Sequence, residues 1–213
     1  MRISQHISLY LIRAKFKFLS AISKKKAAQE AFKLFCTPPT RERKEIPGIF
    51  KNAEELKFRF GEYNIVGYRW NKGGRRKVLI NHGFESSAVN FSVYINPLIE
   101  KGYEVLAFDA PAHGRSNGKR ITAIIYRDFI KHIHEQYGPV HSYMGHSLGG
   151  FALCLALAEM QNDENYRVVL IAPASQTSTA IDNFFSFIHL DGKVRAEFEN
   201  IITAISGHPV SWF

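Results

Sequence analysis

Short apolar runs alternate with amphipathic stretches through the central part of the chain. Continuous apolar runs of this length are typical of strands that are buried on both faces of a sheet. They cover residues 77–81, 103–109, 140–144 and 167–173. Between them, apolar residues recur at helical spacing, as in Phe91, Tyr94, Ile95, Leu98 and Ile99. Strands that alternate with helices predict an α/β fold, with a mostly parallel sheet and helices on both faces.

The pattern changes on either side of this central part. Residues 56–60 alternate between Leu or Phe and Lys or Arg, and a second such stretch at 63–70 ends in a turn at 71–74. Both are predicted to be half-exposed strands. After residue 175, apolar positions recur only at helical spacing, up to Ile205. The last part of the chain is therefore predicted to be helical, with no further strand.

Residues 145–149, Gly-His-Ser-Leu-Gly, lie between a predicted strand and an Ala- and Leu-rich predicted helix. A G-x-S-x-G sequence in the order strand, turn, helix presents its serine as a nucleophile. Because the turn is tight and strained, a Cβ at Gly145 or Gly149 would clash with a neighbouring strand or helix. The sequence thus predicts that Ser147 forms a covalent acyl intermediate. The alternative is a small-residue turn with a solvated serine.

Two further segments directly follow predicted strands. His82, Gly83 and Phe84 come after the run at 77–81, and a D-x-P-x-H-G-x-S sequence covers residues 109–116 after the next run. In doubly wound sheets, ligands bind beyond the carboxyl ends of the strands. All three segments fall at such ends, so we expect the fold to gather them at one crevice.

Together, in this order and spacing, the three motifs resemble the α/β-hydrolase family over roughly residues 50–213. One departure is Ala112, which stands where the family commonly has Gly. The resemblance implies a serine hydrolase in which Ser147 is the nucleophile and the backbone N–H groups of Phe84 and Leu148 form the oxyanion hole. The supporting positions that it implies are His82, Gly83, Gly145, His146 and Gly149.

The resemblance also implies structural roles for the polar residues around the nucleophile. His82 supports its turn, His113 holds its loop in place, and Asp109 shapes the loop after it without serving as the triad acid. His146 points away from the nucleophile because successive residues face opposite sides. A serine at position 147, where epoxide hydrolases and haloalkane dehalogenases carry aspartate, excludes those two relatives.

The acid and the base of a catalytic triad are the open question in this sequence. The family order is Ser, then Asp or Glu, then His, and 66 residues follow Ser147. Asp191 with His208 keeps this order, although both lie in predicted helices and loops. The candidate residues are Asp182, Asp191, Glu197, Glu199, His189 and His208. The simpler interpretation is a shortened hydrolase without its last two strands, which predicts an exposed sheet edge and low solubility or stability.

Two functions stay open. The first is hydrolysis of a carboxylic ester, thioester or lipid acyl bond of a small-molecule acyl substrate. The second is a non-catalytic hydrolase remnant or interaction protein that lacks the triad acid and histidine. The sequence has no metal-ligand cluster and no phosphate-binding glycine loop, so no metal and no cofactor are expected. The predicted organisation is a basic arm and linker at 1–50 and an incomplete hydrolase core at 51–213, with the start of a helical cap at 176–213.

Positive charge is concentrated near the start of the chain. Residues 1–60 contain 14 of the 28 Lys and Arg residues but 5 of the 19 Asp and Glu residues, so the rest of the chain is neutral. The first segment is predicted to be a helix with one apolar face among many lysines. This face consists of Ile7, Leu11, Ala14, Phe18 and Ile22.

Three interpretations of this basic helix stay open. Residues 1–35 can contact an anionic membrane surface, pack their apolar face on the rest of the chain, or act as an import signal. No recognition motif accompanies the charge, so no nucleic-acid partner is expected. No apolar run is long enough to span a membrane.

The cysteine content suits a reducing compartment. The chain has two cysteines, Cys36 and Cys154, which do not form a disulfide framework. Cys154 lies among apolar residues of a predicted helix, where we expect it to be buried. We therefore expect the protein in the cytoplasm, with membrane-surface association if the basic helix contacts lipid.

Overall fold

Six strands form one mixed sheet in the computed structural model, which describes residues 3–39, 45–160, 166–174 and 176–212, with side chains from residue 9 onward. The strands are β1 (Glu54–Phe60), β2 (Tyr63–Trp70), β3 (Arg76–Asn81), β4 (Tyr103–Asp109), β5 (Ser142–His146) and β6 (Arg167–Ile171). Their order is β1-β2-β4-β3-β5-β6. The β1–β2 and β2–β4 pairs are antiparallel, and the other three pairs are parallel. The predicted fold class is thereby confirmed.

Helices cover both faces of this sheet. They are α3 (Ser92–Glu100), α4 (Ala123–Tyr137) and α5 (Leu148–Glu159). Leu79 and Leu106 pack in a core that includes residues of α4 and α5. Val78 and Val105 pack in a second core that includes residues of α3. Because adjacent residues of a strand point to opposite faces, burial on both sides explains the continuous apolar runs of β3 and β4.

The fourth apolar run forms a strand, β6, but its predicted burial is wrong. Val168, Val169 and Leu170 are 41%, 51% and 42% exposed. β6 is the last strand in the order of the described sheet, so it has a neighbour on one side only. The exposed sheet edge that the sequence predicts is therefore present among the described residues.

The predicted burial of Cys154 is also wrong, since this cysteine is exposed. On α5, Ala152, Leu153 and Ala156 are fully buried. These three residues share one side of the helix, and at 3.6 residues per turn Cys154 falls on the other side. The sequence does not distinguish the buried side of α5 from the exposed side, because the residues around Cys154 are apolar on every face of the helix.

Four helices make a second compact unit, formed by residues 1–36 and 175–213, apart from the unit of residues 37–174. They are α1 (Ile3–Ile22), α2 (Lys24–Phe35), α6 (Thr177–Ile188) and α7 (Gly192–Ser206). Phe198 of α7 lies at the centre, with its ring 5.6 Å from that of Phe32 and 5.2 Å from that of Phe185. The side-chain oxygens of Ser23 and Asp191 accept N–H groups at the starts of α2 and α7.

The predicted apolar face of the first helix does not pack in this unit. Leu11, Phe18 and Ile22 are 60%, 67% and 62% exposed, and the side chain of Ile7 lies outside the description. A different set of residues, which includes Phe16, packs in the core of the unit. The interpretation in which the predicted face packs is therefore wrong for its three described large residues. The predicted arm and linker at 1–50 include residues 1–2 and 40–44, which lie outside the described residues.

Candidate active site

Ser147 occupies the turn between β5 and α5, in a backbone conformation that few residues adopt. Its φ is +49° and its ψ is −121°. A non-glycine residue in such a region costs roughly 1–3 kcal/mol, so the surroundings must hold it there. Its N–H donates to the carbonyl of Ile171 at 3.1 Å, and its carbonyl accepts the N–H of Ala174 at 3.2 Å. The strained turn that the sequence predicts is therefore fixed by hydrogen bonds to the end of β6.

The motif glycines lie where the chain comes closest to its neighbours. A Cβ on Gly149 would be 2.3 Å from the carbonyl oxygen of His82 and 2.6 Å from that of Asn81. A Cβ on Gly145 would be 2.7 Å from the Cα of Gly150. These clashing atoms all belong to the backbone and cannot move aside cheaply. The steric reason expected for both glycines is confirmed.

Gly83 brings the loop after β3 against the nucleophile turn. A Cβ on Gly83 would be 2.7 Å from Nδ1 of His146 and 3.0 Å from the Cβ of Ser147. The next residue, Phe84, lies on this loop, and Leu148 is the first residue of α5. Among the described residues, the N–H groups of Phe84 and Leu148 form no hydrogen bond. Helix N-termini carry such free N–H groups and favour negative charge.

His82 joins the carboxyl ends of β3 and β4. It is 1% exposed, its Nε2 accepts the N–H of Ala110 at 2.9 Å, and its Nδ1 lies 2.8 Å from the carbonyl oxygen of Gly83. Nδ1 therefore carries the proton and donates. Burial lowers the pKa of His82 to about 4. A neutral imidazole with both nitrogens bonded to the backbone supports the turn and has no free nitrogen for proton transfer.

Tyr126 supports the same turn and was missed by sequence reasoning. It lies on α4, and its buried hydroxyl donates to the carbonyl of His82 at 2.9 Å. Burial raises the pKa of this phenol far above its usual range. The only sequence signal was a tyrosine on the apolar face of a helix, where a buried hydroxyl needs a partner.

Asp109 organises the loop after β4. Its carboxylate is 3% exposed and accepts the N–H of Ala88 at 2.9 Å and that of Arg115 at 2.8 Å. Burial raises its pKa. A Cβ on Gly114, whose φ is +46°, would lie 2.3 Å from the Cγ of Asp109. The carboxylate is thus enclosed by its own loop, in agreement with a shaping role.

His113 and Ala112 belong to the same loop. Nδ1 of His113 lies 2.9 Å from the carbonyl oxygen of Pro111, and its Nε2 accepts the N–H of Glu85 at 3.3 Å, so it ties this loop to the one after β3. Ala112 has a φ of +66°, in the left-handed region. This conformation gives a physical reason for the glycine that the family commonly has at this position.

The candidate acids and bases of a triad lie in the helical unit, where most already have partners. Asp191 accepts the N–H of Lys193 and of Val194 and the ammonium of Lys24 at 2.7 Å, and the bond to Lys24 lowers its pKa. The ring of His208 stacks on Trp212, with centroids 4.1 Å apart.

Of the other candidate acids, Asp182 lies on α6, and Glu197 and Glu199 lie on α7. Asp182 and Glu199 both bind Arg195. His189 ends α6 in the left-handed region. Within the described ranges, Oγ of Ser147 forms no hydrogen bond, and no group of three or more His, Cys, Asp or Glu side chains could hold a metal ion.

The sheet, the strained serine turn and the adjoining glycine loop define the architecture of an α/β-hydrolase. The chain belongs to the hydrolase family described as serine aminopeptidase, S33, whose sequence model matches residues 73–199.

Two similar proteins support this assignment. The chain is 29% identical over 156 residues to a serine hydrolase-like protein of Dictyostelium discoideum, covering 63% of this chain and 44% of the relative. It is 29% identical over 115 residues to the uncharacterized hydrolase YugF of Bacillus subtilis, covering 51% and 40%. The chain thus spans less than half of the length of these relatives. A Pyrococcus furiosus esterase shares the fold at a TM-score of 0.55 and 22% identity, over 76% of this chain and 66% of that one.

None of the described helices is both long enough and apolar enough to cross a membrane.

Proposed function

We propose that this protein hydrolyses a carboxylic ester, thioester or lipid acyl bond of a small-molecule substrate through an acyl-Ser147 intermediate. The observation that carries the proposal is the backbone of Ser147, at φ +49° and ψ −121° between a strand and a helix. Such a turn is expensive to maintain and has a use, since it exposes a serine hydroxyl at the carboxyl end of the sheet. The similarity to a serine hydrolase-like protein supports a serine mechanism.

In the proposed reaction, Oγ of Ser147 attacks the carbonyl carbon of the substrate and loses its proton to a base. The carbonyl oxygen becomes an oxyanion, which accepts the N–H groups of Phe84 and Leu148. When the tetrahedral intermediate collapses, the leaving alcohol or thiol takes up the proton and the acyl group stays on Oγ. Water then attacks the acyl-enzyme through a second oxyanion and releases the carboxylic acid. Each oxyanion donor is worth about 3–4 kcal/mol of transition-state stabilisation.

The supporting residues act on this site through the backbone. Gly83, Gly145 and Gly149 allow the close approach of strand, loop and helix, and His82 fixes the turn that carries Phe84. The ring of His146 lies close to Gly83. In this proposal it is on the side of the turn away from the substrate. We also propose a basic arm and linker at residues 1–50 and a hydrolase core at 51–213, of which 176–213 is the start of a helical cap. The arm and the cap helices belong to the same compact unit.

A second candidate function is a non-catalytic protein that keeps the hydrolase fold. It is favoured by one observation: Asp191, the acid that keeps the family order with His208, is already occupied as a helix cap and ion pair. Without a base, a serine hydroxyl is a weak nucleophile, although an oxyanion hole alone leaves a small residual rate.

A fluorophosphonate probe separates the two functions. We expect the folded wild-type chain to be labelled at Ser147, and Ser147→Ala to abolish labelling. Ser178→Ala, a half-buried serine on α6, is the matched control and should be labelled like the wild type. A folded wild-type chain that stays unlabelled would overturn the hydrolase proposal and favour the second candidate.

The same probe tests the base. His189→Ala and His208→Ala each remove one histidine that follows Ser147 in the sequence. If either imidazole is the base, its removal should slow labelling by several orders of magnitude. If both variants are labelled at the wild-type rate, neither histidine activates Ser147.

We also propose a cytoplasmic location. Cys154 is exposed and is not part of a disulfide. An exposed free thiol is stable in a reducing compartment and prone to oxidation outside it.

A further inference from the structure

The first helix, α1, has two apolar faces. Ile12, Phe16 and Leu19 recur at helical spacing and pack in the core of the helical unit. Leu11, Phe18 and Ile22 recur at a similar spacing on another side, where each is at least 60% exposed. The second face is therefore not needed to attach α1 to its unit.

Several exposed apolar side chains lie next to one another on this face of α1. Leu11, Phe18 and Ile22 lie within about one third of the helix circumference, and Ala14, which is also exposed, lies among them. Scattered apolar residues on a surface need no explanation, whereas a contiguous row of this kind marks an interaction surface.

Lysines accompany the row in the sequence, because Lys17 lies between its residues and Lys25 and Lys26 follow it at the start of α2. The first acidic residue of the chain is Glu30, and the ammonium groups of Lys15 and Lys33 both bind it. Among the described residues, Lys17, Lys25 and Lys26 form no ion pair. These three lysines therefore give this part of the chain positive charge that no described carboxylate neutralises.

We propose that the exposed face of α1, formed by Leu11, Ala14, Phe18 and Ile22, binds an anionic phospholipid surface. A helix with an apolar row and flanking lysines lies in the plane of a membrane interface, with the row among the acyl chains and the cations at the lipid phosphates. No described helix spans a membrane, so the contact is peripheral. The charge excess selects lipid over an apolar protein partner, whose surface would leave the lysines without counter-charges.

Vesicle binding by the full chain tests the apolar part of the proposal. We expect the wild type to sediment with phosphatidylcholine vesicles that contain phosphatidylserine, and Phe18→Ser to weaken binding about tenfold or more. Val93→Ser is the matched control, because Val93 is 72% exposed but lies on α3. Phe18 is 67% exposed, so its replacement should leave the melting curve unchanged.

The charge part is tested by neutralising three lysines together. Lys17→Gln, Lys25→Gln and Lys26→Gln in one variant should weaken binding at least about tenfold. The matched control neutralises three exposed lysines of the other unit, Lys51, Lys101 and Lys119, and should bind vesicles like the wild type. Added salt should weaken the wild type, because it screens exposed charges.

Three outcomes would overturn the proposal: equal binding to vesicles without phosphatidylserine, equal loss in both lysine variants, or no vesicle binding at all. Self-association that Phe18→Ser abolishes, without vesicle binding, would assign the face to a protein contact instead. Ser147→Ala should bind vesicles like the wild type, so this proposal and the hydrolase proposal fail separately.

Discussion

Gly83 lies so close to Ser147 that a Cβ on Gly83 would be 3.0 Å from the Cβ of the serine, and 2.7 Å from Nδ1 of His146. Gly83→Ala should therefore push the loop away from the turn and displace the N–H of Phe84. Since one oxyanion donor is worth about 10²–10³ in rate, we expect probe labelling of Ser147 to slow about tenfold or more.

Gly48→Ala is the control for this prediction, because a Cβ on Gly48 meets no atom within 4 Å. It should be labelled like the wild type. The overpacked Gly83→Ala should also lose about 1–3 kcal/mol of stability in urea denaturation. Unchanged labelling in a destabilised Gly83→Ala would mean that the loop of Phe84 takes no part in the reaction.

His82 should make the stability of the fold depend on pH. Its folded-state pKa of about 4 lies below the ordinary value of 6.5, so the unfolded chain binds a proton more readily. The contribution of this residue is fully present above about pH 6.5 and is lost as the pH falls towards 4, by about 3 kcal/mol in total. Urea denaturation between pH 7 and pH 4 should show it.

The variant His82→Asn removes the titrating group. It should be less stable than the wild type at pH 7, because the N–H of Ala110 loses its acceptor. Its stability should fall less steeply with decreasing pH. Parallel curves for the two proteins would show that His82 is protonated as easily in the folded state as in the unfolded one.

The architecture was readable from the sequence because local patterns determine it. The apolar runs of β3 and β4 and the helical spacing in α3 each report burial that the sheet then provides. The nucleophile turn was readable because few sequences satisfy its steric demands, which fall on Gly145 and Gly149.

What the sequence did not show depends on tertiary neighbours. β6 has the apolar composition of a buried strand, and only its place at the end of the sheet exposes it. On α1, Leu11 and Phe16 are both apolar, and the helical spacing alone does not decide which face meets the rest of the unit. The bond from Tyr126 to His82 joins residues 44 positions apart, so no local pattern predicts it.

Ala112 should carry backbone strain that a glycine would relieve. Its φ is +66°, and an alanine in the left-handed region costs roughly 1–2 kcal/mol. Ala112→Gly also loses a buried methyl group and gains freedom in the unfolded chain. The matched variant Ala107→Gly, in β4, has the same two destabilising effects but no strain to relieve.

We therefore expect Ala112→Gly to be less destabilising than Ala107→Gly, by about 1–2 kcal/mol. Chemical denaturation of both variants measures the difference directly. If Ala112→Gly loses as much stability as Ala107→Gly, the departure from the family pattern carries no strain.

Asp191 offers a test that separates a helix cap from a catalytic acid. Asparagine caps helices about as well as aspartate, so Asp191→Asn should keep the start of α7 intact. It loses the ion pair with Lys24, at a cost of about 0.2–1 kcal/mol, because the side chains of Lys24 and Asp191 are 37% and 51% exposed. Probe labelling of Ser147 should stay at the wild-type rate.

The variant Asp191→Ala removes the cap as well and should cost about 1 kcal/mol more. Slow labelling in the well-folded Asp191→Asn would contradict this prediction and place Asp191 in a triad. Such a result would make His208, which follows it in the family order, the next residue to examine.

The exposed edge of the sheet should make the chain associate with itself. Val168, Val169 and Leu170 present apolar side chains on a strand with one described neighbour, and unpaired strand edges bind other strands. A lysine on such an edge opposes pairing, so Val169→Lys should raise the concentration at which the protein associates by about tenfold or more. Val93→Lys places the same charge at a more exposed valine of α3 and should associate like the wild type. Sedimentation velocity over a range of concentrations measures both. A wild-type chain that stays monomeric and melts cooperatively would show that the edge of β6 is protected in solution.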